Sequence, residues 1–505
     1  MILLDGRHLT LDRLVAIADE ADEVGLAPEA LARVEAARAV VDRWAAGDAP
    51  AYGVNTGFGS LAEVPISREA LDELQLNLVR SHAAGVGEPL PVRAVRAMMA
   101  LRANVLARGC SGIRRETLEL LVALLNRRIH PRVPSRGSVG ASGDLAPLAH
   151  LALVLIGEGE VLDADGRAQP AAPALARAGL HPRRLGPKEG LALINGTQPS
   201  TAVLALALAD AERLARAADL AAGLSIDALR GSRRPFDPRL HALRPHPGQA
   251  ASAANLWRLL DDSAINRSHE HCGRVQDAYS LRCAAQVHGA ARDALAFARR
   301  IVEIEANAAT DNPIVFAETG EIVSGGNFHG APVAVAADLV PIALAQLATI
   351  SERRTSRLVD PAASGLPPFL ARDSGLNSGL MLAQVTAAAL VSEIKTLAHP
   401  ASVDTIPTSA GREDHVSMSM GAALKAARAV ELACTVLAVE YLCACQALDL
   451  LAPLTTSPPL QAVHAAVRAR VPPLDRDRPP APDLAAVAAL IRDGVLERAC
   501  GLPLV

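Results

Sequence analysis

The chain has 505 residues, half of them apolar and 21% charged, with a net charge of −4 from 50 basic and 54 acidic side chains. That length can bury several domains' worth of core, and a charge balance without basic excess excludes recognition through a phosphate backbone, so no nucleic-acid partner is expected. A long uncharged stretch, Ser374 to Ser392, is broken by Asn377, Gln384, Thr386 and two glycines, which argues against a membrane span.

At the start, Asp5 and Arg7 follow Met1 too closely to leave an apolar signal segment, and the chain reads as cytoplasmic. Pro28 opens a helix with Leu31, Val34, Val41 and Trp44 on recurring turns, and Leu118, Leu121, Val122, Leu125 and Ile129 repeat at three and four residues. A loop rich in small residues, 137–144, separates that helix from an apolar run beginning at Leu145. Val161-Leu162 before Asp165-Gly166 is a weak strand signal, and Ile314-Val-Phe316 and Ile322-Val323 around Glu318-Thr-Gly320 predict a short hairpin. Long helices are predicted over Ser200–Leu224, Arg274–Asn307, Val333–Leu358, Gly379–Ala398 and Gly421–Leu450. A proline-rich link, Pro472 to Pro482, leads to a last helix over Leu484–Glu497.

With two tryptophans, three tyrosines and six phenylalanines, the core must be built from Ala, Leu and Val, which suits close-packed helices. The fold class is therefore mainly α, a long-helix bundle with a few short hairpins. Residues 1–505 read as a single catalytic chain: an N-terminal part to 200, a central bundle over 201–455 and a helical tail over 456–505. Seven cysteines, an odd number scattered from Cys110 to Cys500, make no disulfide framework, and Cys443-Ala-Cys445 lacks metal-ligand spacing. His269, His271 and Cys272 have no fourth ligand at a familiar distance, so the cluster reads as structural and no metal is expected.

The loop Gly137-Ser-Val-Gly140-Ala141-Ser142-Gly143-Asp144 is the most unusual segment. Taken alone, such a stretch most often just turns a corner. A serine-hydrolase elbow requires glycine where Asp144 stands, and no Walker lysine follows. The string from Gly137 to His150 does, however, resemble the signature of the aromatic amino-acid ammonia-lyases, and within them the histidine-specific branch. The resemblance extends through Tyr52–Gly59, Ser81–Gly87, Asn195–Gln198, Val275–Cys283, Ser324–His329 and Glu413–Met418, thinning after about residue 455.

This resemblance implies a fumarase/aspartase-like fold and a homotetramer whose active sites draw on three subunits. It further implies an electrophile, 4-methylidene-imidazol-5-one, formed autocatalytically from Ala141, Ser142 and Gly143, with no metal or nucleotide. Such a group is needed because neither the α-amino nor the β-proton of a free amino acid is activated; adding the amine to the methylidene makes it a better leaving group. Tyr52 corresponds to the family's base, a phenol that serves only in its ionised form, and Tyr279 belongs with the catalytic set. Arg282 corresponds to the carboxylate clamp, its planar fork offering two parallel donors. Asn195 resembles the asparagine that bonds the ring carbonyl and substrate, Phe328 the aromatic beside the electrophile, and Gln276 a polar lining residue. His82 and Glu413 resemble the pair with which histidine lyases hold an imidazole; polar groups placed for ring nitrogens reject a phenyl ring that leaves them unpaired.

The implied reaction is elimination of ammonia from L-histidine to give trans-urocanate, the first step of histidine breakdown. Departures from the family pattern motivate an alternative, a lyase or aminomutase for another aromatic or imidazole amino acid. Gly411-Arg412 replaces Asn-Gln before Glu413, Ala278 replaces proline, Ala284-Ala285 replaces Gln-Pro, and His288 replaces methionine. Arg412 either reaches Glu413 and weighs on its charge or points to solvent. A non-catalytic homologue that keeps only the scaffold is a third reading, against which the intact Ala141-Ser142-Gly143, Tyr52 and Arg282 count.

Overall fold

Apolar side chains at three- and four-residue spacing drive this chain into helices, and Pro28–Ala46 illustrates how. Pro28 sits in the first turn, where its missing donor costs nothing, and Ala30, Val34, Ala37, Val40 and Val41 are buried. Val40 and Val41 pack with Ala51, Val54 and Val315, so the antiparallel hairpin of Ile314–Phe316 with Glu321–Val323 is held beside this helix. A hydrogen bond from Trp44 Nε1 to the Gly320 carbonyl (3.1 Å) fixes the contact. The computed structural model describes residues 1–47 and 49–505, the side chain of residue 60 excepted.

Two compact units emerge, each assembled from separate stretches of sequence. The first comprises Met1–Leu206, Arg299–Asp338 and Pro400–Leu424. Its central helix, Val92–Ala107, is buried along almost its whole length, and all the described strands fall in this unit. They form a parallel pair (Ile2–Leu4 with Val24–Leu26), an antiparallel pair (Val86–Pro89 with Pro134–Arg136) and a three-stranded sheet of His130–Pro131, Glu160–Leu162 and Ala168–Pro170, besides the hairpin. The second comprises Ala207–Ala298, Leu339–His399 and Lys425–Val505 and is helical, including the segments after residue 456.

The predicted long helices are present as Gln198–Ala228, Ala284–Glu305, Ala331–Val359, Met381–Leu397 and Ser419–Leu450. Ala331–Val359 alone among the described helices is long and apolar enough to cross a membrane, and 67% of that stretch is buried inside the protein, as in a core helix. Three boundaries differ from the sequence reading. Arg115–Asn126 stops before Ile129 because Arg128 takes a left-handed φ of 55° and the Ile129 amide bonds back to Leu124. Residues 274–278 are not helical, and Asp277 there accepts a hydrogen bond from the Ser232 amide (2.7 Å) that ties it to another segment; only Tyr279–Arg282 forms a single turn before the long helix. The last helix is two, Ala481–Arg492 and Val495–Cys500, split where Gly494 adopts φ 64°.

Two buried charged clusters in the second unit are paired. Asp219 accepts from His288 Nδ1 (2.7 Å), Ser252, Asn255 and Arg292, while Arg354 is fully buried against Glu440. Burial pushes the Asp219 carboxyl up, but Arg292 and His288 outweigh it and hold it at about 2. His288, which departs from the family residue, therefore faces a carboxylate inside the helical core.

Candidate active site

The small-residue loop is shaped by what grips it. Asp144, fully buried, accepts hydrogen bonds from the Ser138 hydroxyl (2.5 Å) and from the Ser200 amide (2.8 Å). The latter lies in the first turn of Gln198–Ala228, where the helix dipole favours an anion. Burial raises the Asp144 carboxyl against these two donors. On the other side the Ser417 hydroxyl donates to the Gly140 carbonyl (2.8 Å) and the Met418 amide to that of Val139 (2.8 Å).

At Gly143 the backbone runs against Gly196: φ is 66°, and a Cβ would lie 2.2 Å from the Gly196 oxygen. Only glycine permits this approach. The Asp144 amide donates to that same oxygen (2.8 Å).

Around Ser142 the side chains converge. Its carbonyl accepts from Asn195 Nδ2 (2.9 Å), and its hydroxyl donates to Glu413 Oε1 (2.9 Å). Glu413 Oε2 accepts from Thr408 Oγ1 (2.5 Å). Asn195 Oδ1 is buried without a partner, an unsatisfied acceptor beside the loop.

Ser142 lines two cavities of the first unit, of about 610 and 680 Å³. Tyr52, Asn195 and Glu413 line both; His82 lines the first, and Ala141 and Phe328 line the second. The Tyr52 phenolic oxygen accepts from the Gly59 amide (3.2 Å), with Phe58 edge-on to its ring at 6.2 Å. His82 ends the helix Leu71–His82 and places Nδ1 2.9 Å from the Leu78 carbonyl, so a neutral ring donates there and keeps its lone pair on Nε2.

Arg412 is exposed at the rim of the larger cavity and reaches Glu63, 3.6 Å away, rather than Glu413. This resolves the alternatives left by the sequence: the cation is paired at the surface.

Gln276, Tyr279 and Arg282 belong to the second unit. Gln276 and Arg282 line a cavity of about 1090 Å³ there, rich in arginine. Arg282 stacks over the Tyr279 ring at 4.7 Å and leaves Nε buried without a partner; Tyr279 itself is exposed. Among the described residues no three His, Cys, Asp or Glu side chains gather to hold a metal ion.

The sequence reading missed the groups that hold the site from behind. Arg102, fully buried on Val92–Ala107, donates to the carbonyls of Ala192 and Asn195 and to Gln198 Oε1. Burial draws its guanidinium down to about 10, with Asp311 opposing, so it remains a cation at neutral pH. Lys188, which precedes the short helix Glu189–Ile194 leading to Asn195, pairs with Asp311 (2.9 Å), both wholly buried. Its rarity, one lysine of three in the chain, was the one available signal.

The sequence matches the aromatic amino acid lyase family model over residues 9–469. The chain belongs to the aromatic amino acid lyase family.

A histidine ammonia-lyase of Stigmatella aurantiaca is 58% identical over 493 residues, spanning 98% of this chain and 96% of its own. Among solved structures, histidine ammonia-lyase from Trypanosoma cruzi is 44% identical with a TM-score of 0.92, covering 99% of this chain and 95% of that one. Tyrosine aminomutase from Streptomyces globisporus is 40% identical with a TM-score of 0.96 over all of both chains. Membership carries with it the mainly α class that the long helices led us to expect and the fumarase/aspartase-like fold that the resemblance implied.

Proposed function

We propose that this lyase is a histidine ammonia-lyase, removing ammonia from L-histidine without oxidation to give trans-urocanate. The observation that carries the proposal is the meeting of Ser142, Asn195 and Glu413 on cavities shared with Tyr52, one of which His82 also lines. A curated relative of that name at 58% identity supports it, against 40% for the tyrosine aminomutase.

The residues of the 141–143 turn fit the family's methylidene-imidazolone. Gly143 has no room for a side chain, the Ser142 carbonyl already has the Asn195 donor, and Asn195 keeps a spare buried acceptor. That group supplies an electrophile for the substrate amine. Tyr52 takes the β-proton at its phenolic oxygen, which the Gly59 amide holds in place. Glu413 and His82 bond the imidazole nitrogens, and Phe328, which lines the larger cavity with Ala141 and Ser142, stacks beside the electrophile. Arg282 clamps the substrate carboxylate with its two-pronged fork, Gln276 lines the same wall and Tyr279 backs the guanidinium. These three reach the reaction from neighbouring subunits of a homotetramer in the cytoplasm, where the seven free cysteines stay reduced.

The test is an absorbance assay for the conjugated product with L-histidine, run beside an intact mass. Product together with a deficit of two waters is expected, and both should vanish in Ser142→Ala. A deficit without product from histidine would overturn the substrate and direct a panel of aromatic amino acids, including a search for β-amino products. Full activity in Ser142→Ala would sink the electrophile.

A further inference from the structure

Two arginines on the helix Val92–Ala107 are buried and donate to carbonyls at the ends of other elements. Arg96 reaches the Ile17 carbonyl (3.1 and 2.9 Å), the Leu125 carbonyl (3.0 Å) and His130 Nε2 (3.2 Å), none of them a residue of the small-residue loop or of the 192–198 segment. Arg102 reaches the end of Glu189–Ile194: Nη2 to the Ala192 carbonyl, Nη1 to the Asn195 carbonyl (2.8 Å) and to Gln198 Oε1 (2.7 Å). Gln198 is fixed in turn by its bond to Thr310 Oγ1 (2.7 Å). One guanidinium therefore sets the backbone of the residue whose side chain donates to Ser142, and whose neighbour Gly196 accepts from the Asp144 amide.

We infer that Arg102 is a positioning residue for formation of the electrophile, acting through Asn195 and Gly196. The inference rests on the proposed function, in which residues 141–143 cyclise. In that step the Gly143 nitrogen forms a bond to the Ala141 carbonyl carbon. The Ala141 oxygen leaves as water with the protons of the Gly143 and Ser142 amides, as a double bond forms to the Ser142 nitrogen. A second water takes the Ser142 hydroxyl and its α-proton. No oxidant or co-reactant enters.

A donor on the Ser142 carbonyl acidifies both neighbours of that carbonyl, the Gly143 N–H and the Ser142 Cα–H, and both protons must leave. Asn195 Nδ2 is that donor at 2.9 Å, and such a contact weakens steeply when its angle or length drifts. The fork of Arg102 fixes Asn195 at its carbonyl, one residue's length from the amide that does the work. Lysine would keep the charge but could reach only part of the three acceptors.

The test is the rate at which newly made protein loses two waters, followed by intact mass in Arg102→Lys, with Arg96→Lys, the other buried arginine of the same helix, as the control. Circular dichroism and thermal unfolding establish that both are folded. Conversion in R102K is expected to be about ten-fold slower than in R96K and wild type, the effect of loosening one aligned hydrogen bond. Equal conversion in folded R102K and R96K would overturn the inference, as would a matching loss in both. If R102K gives no soluble protein, Gln198→Ala, which removes one of the two acceptors of Nη1 and leaves the other on the Asn195 carbonyl, should slow conversion by a smaller factor; unchanged conversion there overturns it too. A wild-type chain at full mass would instead remove the electrophile, and this inference with it.

Discussion

The Ser142 hydroxyl donates a 2.9 Å hydrogen bond to Glu413, a residue 271 positions away in sequence. The carboxylate proposed to read the substrate ring and the hydroxyl proposed to leave during maturation thus share one wall of the site. Glu413→Gln preserves shape but exchanges a charged acceptor for a neutral one, and charge-assisted bonds are roughly twice as strong as neutral ones. We expect kcat/KM for L-histidine to fall by about ten-fold or more, with the two-water deficit retained. An unchanged kcat/KM would remove Glu413 from substrate recognition.

Tyr52→Phe should separate chemistry from fold. The Tyr52 hydroxyl's hydrogen bond is to the Gly59 amide on the surface of the cavity, so its loss costs little stability, while losing a proton acceptor typically costs 10²–10⁴-fold, about three orders of magnitude at mid-range. Turnover should fall by about that factor with thermal unfolding and intact mass unchanged.

Arg412 departs from the family pattern at the most sensitive place, immediately before Glu413, yet its guanidinium is exposed and its partner is the exposed Glu63. Pairs of that kind contribute about 0–1 kcal/mol. Arg412→Gln should therefore change kcat/KM by less than about two-fold and leave the ranking of a substrate panel intact. A reordered panel would show that the cation enters the cavity.

His288, the other departure, is sealed in the helical core against Asp219. His288→Met removes one of that carboxylate's donors while Ser252, Asn255 and Arg292 remain. The expected outcome is a stability loss of about 1–3 kcal/mol by denaturant unfolding, with the same substrate ranking.

His130 supplies a dependence on pH. Burial, with Arg96 and Arg128 adding to it and Glu20 opposing, holds its imidazole at about 4, below the 6.5 of a free histidine. The neutral form is thus favoured in the folded state, so the stabilisation is complete above about pH 6.5 and is lost as the pH falls towards about 4. His130→Asn should flatten this slope, losing about 2 kcal/mol less than wild type between pH 7 and pH 5. Parallel slopes for the two proteins would mean that His130 is not held neutral.

The sequence carried the loop 137–144 openly, because its demands are local: small residues for close backbone approach, then Asp144 at a helix entrance. The long helices were equally legible from apolar spacing. What the sequence obscured were ends and partners. Nothing local to Arg128 or Asp277 announces that one takes a left-handed turn and the other bonds to Ser232. Arg102 was hidden among the many arginines of the chain, since burial and three well-placed acceptors distinguish it only once distant segments meet. Glu413 was found by resemblance alone; its contact with Ser142 is a property of the fold.

Lys188 and Asp311 meet with no solvent exposure at all, and the segment they fasten ends at Asn195. Mobile ions cannot enter that space, so dissolved salt, which screens exposed charges over roughly 10 Å at 0.1 M, has little hold on it. Surface pairs such as Arg412 with Glu63 loosen as ionic strength climbs, whereas the backbone behind Ser142 keeps its place in brine as in dilute buffer.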